Sequence, residues 1–206
     1  MVKLITERDR KLISYLENGM IITTKIASEL VYYTGNKASS FKIAQNRLTK
    51  LYKAKEINRK RDNVTNSFIY YVGKAPSKVN HRLKIAEFIG RLNTIGFEVV
   101  LVDLEFSDLQ KKYGFRPDAL IVVSYHKRIA MFLLEVDITK SFSNVEKYNK
   151  LLIDRKNKVP TGLPDYPLVV VSVCNKPIDK NKCYFKPVKI KIDLSDIENI
   201  KYPFIK

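Results

Sequence analysis

FRPDALIVVSYHKRIAMFLLEVD, residues 115–137, is the stretch on which the fold of the longer half of the chain turns. Ala119–Val123 and Ile129–Val136 are strand-length apolar runs, and Tyr125–Arg128 between them is short and polar. The spacing predicts a β-hairpin that pairs Val123 near Ile129. Runs this continuously apolar suit a sheet covered on both faces. Acids stand at the ends of the runs. Asp118 follows Pro117 before the first, while Glu135 and Asp137 close the second and share a face because strand side chains alternate. The hairpin therefore brings Asp118 toward Leu134–Glu135. Clustered carboxylates are costly unless a proton or cation compensates, and hard oxygen donors favour Mg²⁺ or Mn²⁺. Strand-end carboxylates that merely solvate the sheet, or pair with Arg116 or Lys140, account for the same residues.

Outward from the hairpin, Asn80–Leu92 reads as a helix with Leu83, Ile85, Ala86 and Ile89 apolar. Glu98–Asp103 and Leu168–Val173 read as strands, with further strand near Tyr184–Ile192. A helix over Asn144–Lys156 carries Val145, Tyr148, Leu151 and Leu152 as its stripe. The expected order is αβββαβ, in a domain over residues 80–206 that follows a short linker at Ala75-Pro76-Ser77.

The first 75 residues differ in kind. Thr6-Glu7-Arg8-Asp9 is a capping box opening a helix that carries Leu12, Ile13 and Leu16, and Gly19 is placed to end it. Thr23-Thr24 begins a second helix with Ile26, Ala27, Leu30 and Val31. After a polar loop, Thr34–Ser39, Ser40 leads into a third, whose Phe41, Ala44, Leu48 and Leu51 are expected to face the core. Its opposite face carries Lys42, Gln45, Asn46, Thr49, Lys50 and Lys53. Strand-forming residues at Ile57–Arg59 and Phe68–Val72 flank Lys60-Arg61-Asp62-Asn63, a basic turn. Three helices followed by a basic hairpin predict a winged helix-turn-helix. The third helix suits major-groove edges and phosphates, and Arg59, Lys60 and Arg61 suit a wing on the neighbouring backbone.

Composition agrees with a polyanion partner. The 206 residues hold 38 Lys+Arg against 21 Asp+Glu, a net charge of +17. Residues 1–80 hold 16 of those basic and 6 of those acidic residues, a net of +10, which leaves +7 for the rest. Lysine-rich composition also arises from A+T-rich coding, so charge alone licenses only nonspecific attraction. Hydrophobic residues, at 45%, suffice for a core. No apolar run reaches the ~18 residues of a membrane span, and the N-terminus lacks a secretory signal, so a cytoplasmic protein is expected. Cys174 and Cys183 form no disulfide framework, and His81 and His126 are too few for a histidine-cluster relaxase. No phosphate-binding glycine loop occurs.

Pro117-Asp118…Glu135-Val136-Asp137 resembles the PD-(D/E)xK arrangement of restriction-endonuclease-like nucleases. The resemblance implies that Asp118 and Glu135 hold Mg²⁺ or Mn²⁺, which activates water for phosphodiester attack. Asp137 stands where that superfamily has lysine. In members whose lysine lies on the following helix, Lys147 or Lys150 matches, and Glu105 or Glu87 matches an upstream acid. From Thr6 to Leu152 the chain resembles the replication-relaxation family of plasmid- and phage-borne proteins. That likeness is carried by Thr6-Glu7-Arg8-Asp9, His81, Glu105, Pro117-Asp118, Leu134-Glu135-Val136-Asp137 and Glu146-Lys147-Tyr148. The expectation is an α/β protein (α+β overall): a winged helix over 1–75 that binds double-stranded DNA, then a restriction-endonuclease-like mixed sheet. Two readings stay open. One is a metal-dependent nickase using Asp118, Glu135, Asp137 and Lys147 or Lys150. The other is a non-catalytic replication or transcription regulator that dimerises through a degenerate nuclease-like domain.

Overall fold

The computed structural model describes residues 5–62, 65–75, 77–104, 106–139 and 142–204. It is a mixed α+β protein with two sheets, and the chain divides into compact units at Phe97/Glu98. None of its described helices is long and apolar enough to cross a membrane.

The first unit runs α1 (Glu7–Glu17), β1 (Ile22–Thr23), α2 (Thr24–Leu30), α3 (Lys37–Lys53), β2 (Asn58–Arg61), β3 (Phe68–Tyr71) and α4 (Val79–Thr94). Its sheet has the order β1-β3-β2, antiparallel throughout. Both halves of the capping box form: Asp9 donates its N–H to the Thr6 hydroxyl, and the Asp9 carboxylate accepts the Thr6 N–H at 2.8 Å. Thr23 caps α2 through Ile26 N–H. Helix α3 begins earlier than the sequence suggests, because Asn36 caps it through Ser39 N–H at 3.0 Å. Ser40 lies inside the helix, bonded to Asn36 O and Thr34 N–H.

That shift changes the buried stripe of α3 to Ser40, Ala44, Leu48 and Leu51, and leaves Phe41 44% exposed. Phe41 is not the core residue its spacing suggests. Its place in the stripe falls to Ser40, whose hydroxyl is satisfied locally.

Helix α4 packs with the first unit, so the compact units part at Phe97/Glu98 where the sequence suggested 75–80. Gly90 explains the close approach: a Cβ there would lie 3.4 Å from Glu29 Cβ and 3.5 Å from Ile26 O, both on α2. Asn93 donates to Glu29 O at 2.7 Å, and Arg82 donates to Gly19 O at 3.0 Å. Pro76 of the expected linker lies outside the described residues.

The second unit is a five-stranded sheet in the order β4-β5-β6-β7-β8, with β4 (Glu98–Asp103), β5 (Ala119–Tyr125), β6 (Arg128–Asp137), β7 (Leu168–Cys174) and β8 (Val188–Ile190). β4, β5 and β6 pair antiparallel, whereas β6, β7 and β8 pair parallel. The hairpin register is Val123↔Ala130 with Tyr125↔Arg128, one residue from the expected pairing. Its two-residue turn, His126-Lys127, has φ of 49° and 64°, the left-handed pair of a type I′ turn. Helices α5 (Asp108–Tyr113) and α6 (Val145–Lys156) supply Leu109, Tyr113, Val145, Tyr148 and Leu151 to a core with Leu120, Val122, Met131, Leu133 and Val170. On the opposite face, Phe204 from the 3₁₀ turns at Ile197–Phe204 meets Phe132 and Tyr125 edge-on.

Candidate functional sites: a basic helix face and a buried carboxyl

In the first unit, Lys42, Gln45, Asn46, Lys50 and Lys53 are exposed along α3, and Thr49 is half-buried with its hydroxyl bonded to Gln45 O. The hairpin β2–β3 follows directly. Arg59 is half-buried, its guanidinium 4.1 Å from the centroids of both the Tyr52 and Phe68 rings. Arg61 is exposed and lies over Phe68 at 5.1 Å. Tyr52, Arg59, Phe68 and Arg61 thus form a stack in which cations and rings alternate, tying the hairpin to the last turn of α3. Lys60 sits opposite Ile69 in the register. Arg59 and Arg61 therefore differ: one is clasped between rings, the other ends the stack. Asn63, expected in the turn, lies outside the described residues.

Beneath α3 lies a buried ion pair. Asp9 has no exposed surface and accepts from Tyr32 Oη at 2.7 Å, from Arg47 Nε at 3.0 Å, and from the Arg47 terminal nitrogen. Burial pushes its carboxyl up, but the hydrogen bonds of Arg47, Tyr32 and Thr6 outweigh that and hold it at about 2.

In the second unit, Pro117 has no N–H to extend the ladder. Just beyond the pair Ala119↔Leu134, Asp118 donates its N–H to Leu134 O at 2.9 Å and accepts Val136 N–H on Oδ2 at 2.8 Å. Its carboxylate is thereby fixed beside the end of β6. Glu135 and Asp137 continue the face of Met131 and Leu133, as alternation requires. In the parallel register Glu135 stands beside Ser172 and Asp137 beside Cys174, with Ser172 fully buried.

Glu135 is 7% exposed. Its Oε1 accepts from Tyr148 Oη at 2.9 Å and from Asn144 Nδ2 at 3.1 Å. Burial pushes the carboxyl up and the Asp118 charge adds to that; the Tyr148 and Asn144 hydrogen bonds oppose it, and the balance stands at about 8. Tyr148 is also buried, ringed by Phe115, Phe142 and Phe185, and its hydroxyl is held well above the ordinary tyrosine range by burial and by Glu135. Among the described residues no cation pairs with Glu135.

The expected lysines do not reach it. Lys147 is exposed and donates to Gly114 O at 2.9 Å, and Lys150 is exposed on the outer side of α6. Residues Asn144 and Tyr148, one helical turn apart, take the position facing Glu135 instead. Of the proposed upstream acids, Glu87 belongs to the first unit and pairs with Lys84 and Lys25, while Glu105 lies outside the described residues. Asp118, Glu135 and Asp137 have the oxygen-donor chemistry of a Mg²⁺ site, yet among the described residues no three such side chains converge as a metal-holding group.

The partners of Glu135 went unread in the sequence, but both leave a signal there. A tyrosine inside an apolar stripe requires a partner for its hydroxyl. Asn144 occupies the N-cap of α6 but makes no cap hydrogen bond, because its amide turns to Glu135. Comparison with protein-family models, curated proteins and solved structures found no match.

Proposed function

We propose that this is a double-stranded DNA-binding protein acting in plasmid or phage replication or DNA relaxation, with its first unit a winged helix that docks α3 in the major groove. The element order α1-β1-α2-α3-β2-β3 with sheet order β1-β3-β2 supports that reading. The observation that carries it is the exposed row Lys42, Gln45, Asn46, Lys50 and Lys53 on a 17-residue helix beside a basic hairpin. The +10 of residues 1–80 draws the phosphate backbone, and the amides address base edges. The second unit is a degenerate restriction-endonuclease-like domain through which this regulator pairs with a second copy in the cytoplasm. Among the described residues no lysine faces Glu135, which favours this non-catalytic form.

One observation favours a second reading, a metal-dependent nickase: Asp118 and Glu135 are brought together at one end of the hairpin, with Asp137 next on the same face as Glu135. In that reading Asp118 and Glu135 would be the first to hold Mg²⁺ or Mn²⁺, which would supply a bound water of lowered pKa, and Asp137 would have to turn toward them to complete the set. In the chain itself, Tyr148 and Asn144 orient the Glu135 carboxyl, and Asp118 raises the cost of its charge.

Binding is tested with labelled duplex DNA. Substituting Lys42, Gln45 and Lys50 together is expected to weaken affinity at least tenfold and to flatten its steep salt dependence, with the fold intact by circular dichroism. Unchanged affinity refutes the α3 assignment. Supercoiled plasmid with Mn²⁺ then separates the readings: nicking lost in Asp118→Ala and Glu135→Ala supports the nickase, and binding without nicking supports the regulator.

A further inference from the structure

Phe41 stands in the second turn of α3, 44% exposed and outside the buried stripe. Gln45, also exposed, follows at i+4, so the two side chains lie one above the other on the same face. Lys42 flanks them, and Lys50 and Lys53 occupy the last turn. An apolar ring therefore sits at the entering end of a polar, cationic helix face, beside Lys42, while Lys50 and Lys53 close that face at the other end.

That division matches what duplex DNA offers. The N-terminal part of a helix lying in the major groove reaches base edges, and later cations meet phosphates. The apolar group on the major-groove floor is the thymine methyl, and glutamine suits the donor–acceptor pair of adenine. Apolar burial at this position is worth one methyl group, and no other base presents one. We infer that Phe41 and Gln45 form a base-reading pair, Phe41 packing on a thymine 5-methyl and Gln45 bonding a neighbouring adenine, so that the site contains adjacent A·T pairs. The inference rests on the DNA-binding reading and adds to it the class of sequence selected.

The test uses the full chain. A duplex is selected by wild type from a random-sequence pool, then remade with deoxyuridine replacing thymine one position at a time, which removes only the methyl. Wild type is expected to lose about fourfold in affinity at one position, the equivalent of one buried methyl group. Phe41→Ala is expected to bind the thymine and deoxyuridine forms equally, while Gln45→Ala keeps the fourfold ratio and loses its preference for adenine nearby. Because each ratio is taken within one variant, partial unfolding does not imitate the result. Wild-type indifference to every methyl, or a wild-type ratio in Phe41→Ala, overturns the inference alone while salt-dependent binding persists. Absence of any salt-dependent duplex binding overturns it together with the DNA-binding reading.

Discussion

Asp9 in the first unit and Glu135 in the second are both buried carboxylates that accept a hydrogen bond from a buried tyrosine hydroxyl, Tyr32 at 2.7 Å and Tyr148 at 2.9 Å. Around Asp9 the remaining partners are Arg47 and the Thr6 cap, so its charge is neutralised where it lies. Around Glu135 they are Asn144 and two further acids. The first is driven down to about 2 and the second up to about 8. A buried charge with its counter-charge belongs to the scaffold. A buried acid among acids has no counter-charge to neutralise it and holds its proton instead.

Breaking the satisfied side is expected to have the largest effect. Asp9→Asn leaves Arg47 without its counter-charge and is expected to cost on the order of 3–5 kcal/mol in urea unfolding of the first unit. Its pH dependence follows the depressed carboxyl: the Asp9 contribution is fully present above about 3.8 and is lost as pH falls through about 2. Glu135 has the opposite sign. Its folded form keeps a proton that the unfolded chain has released, so between about 4.5 and about 8 rising pH drains stability. Glu135→Gln keeps an acceptor for Tyr148 and removes the ionisation. That variant is expected to match wild type at pH 4 and to exceed it by on the order of 3 kcal/mol at pH 9, read from denaturant midpoints across pH. A flat difference across that range breaks the contrast between the two acids. Mn²⁺ sharpens it: under the nickase reading the ion raises the wild-type midpoint at pH 7 and leaves that of Glu135→Gln unmoved.

The same contrast explains what could be read in the sequence. Asp9 announces itself locally, because Thr6-Glu7-Arg8-Asp9 places cap and partner three residues apart; its ties to Tyr32, 23 residues on, and to Arg47, 38 residues on, are invisible. Strand β4 and the strands that flank the acids are legible from apolar runs that are long and bounded by polar residues. The register slips by one because His126-Lys127 turns in two left-handed residues without the glycine or asparagine that usually marks such a turn. α5, six residues in a charged loop, is too short to establish a period. α4 reads correctly as a helix but joins the first unit, since Gly90 reports a close neighbour without saying which. At Glu135 the expectation of a lysine came from a likeness between motifs. The structure fills that place with Tyr148 and Asn144, which are legible only as a stripe residue and a cap until the sheet brings Glu135 beneath them.

The smallest expected effects separate the two hairpin arginines, which are identical in composition and spacing and differ only in what surrounds them. Arg59 is clasped by Tyr52 and Phe68, each at 4.1 Å, whereas Arg61 meets Phe68 alone at 5.1 Å from an exposed position. A stacked cation contributes about 0.5–1 kcal/mol per ring at such a surface. Arg59→Ala is therefore expected to lower the thermal midpoint of the first unit measurably, by an amount equivalent to about 1 kcal/mol, and to loosen the hairpin from α3. Arg61→Ala is expected to leave that midpoint within ~0.5 kcal/mol of wild type and to lower the slope of log affinity against log salt by about 1, the loss of a single phosphate contact. If Arg59→Ala lowers the salt slope and spares the midpoint, the clasped arginine is the phosphate contact. Cations paired inside the protein, like Arg47 and Arg59, would then no longer be separable from those that face DNA.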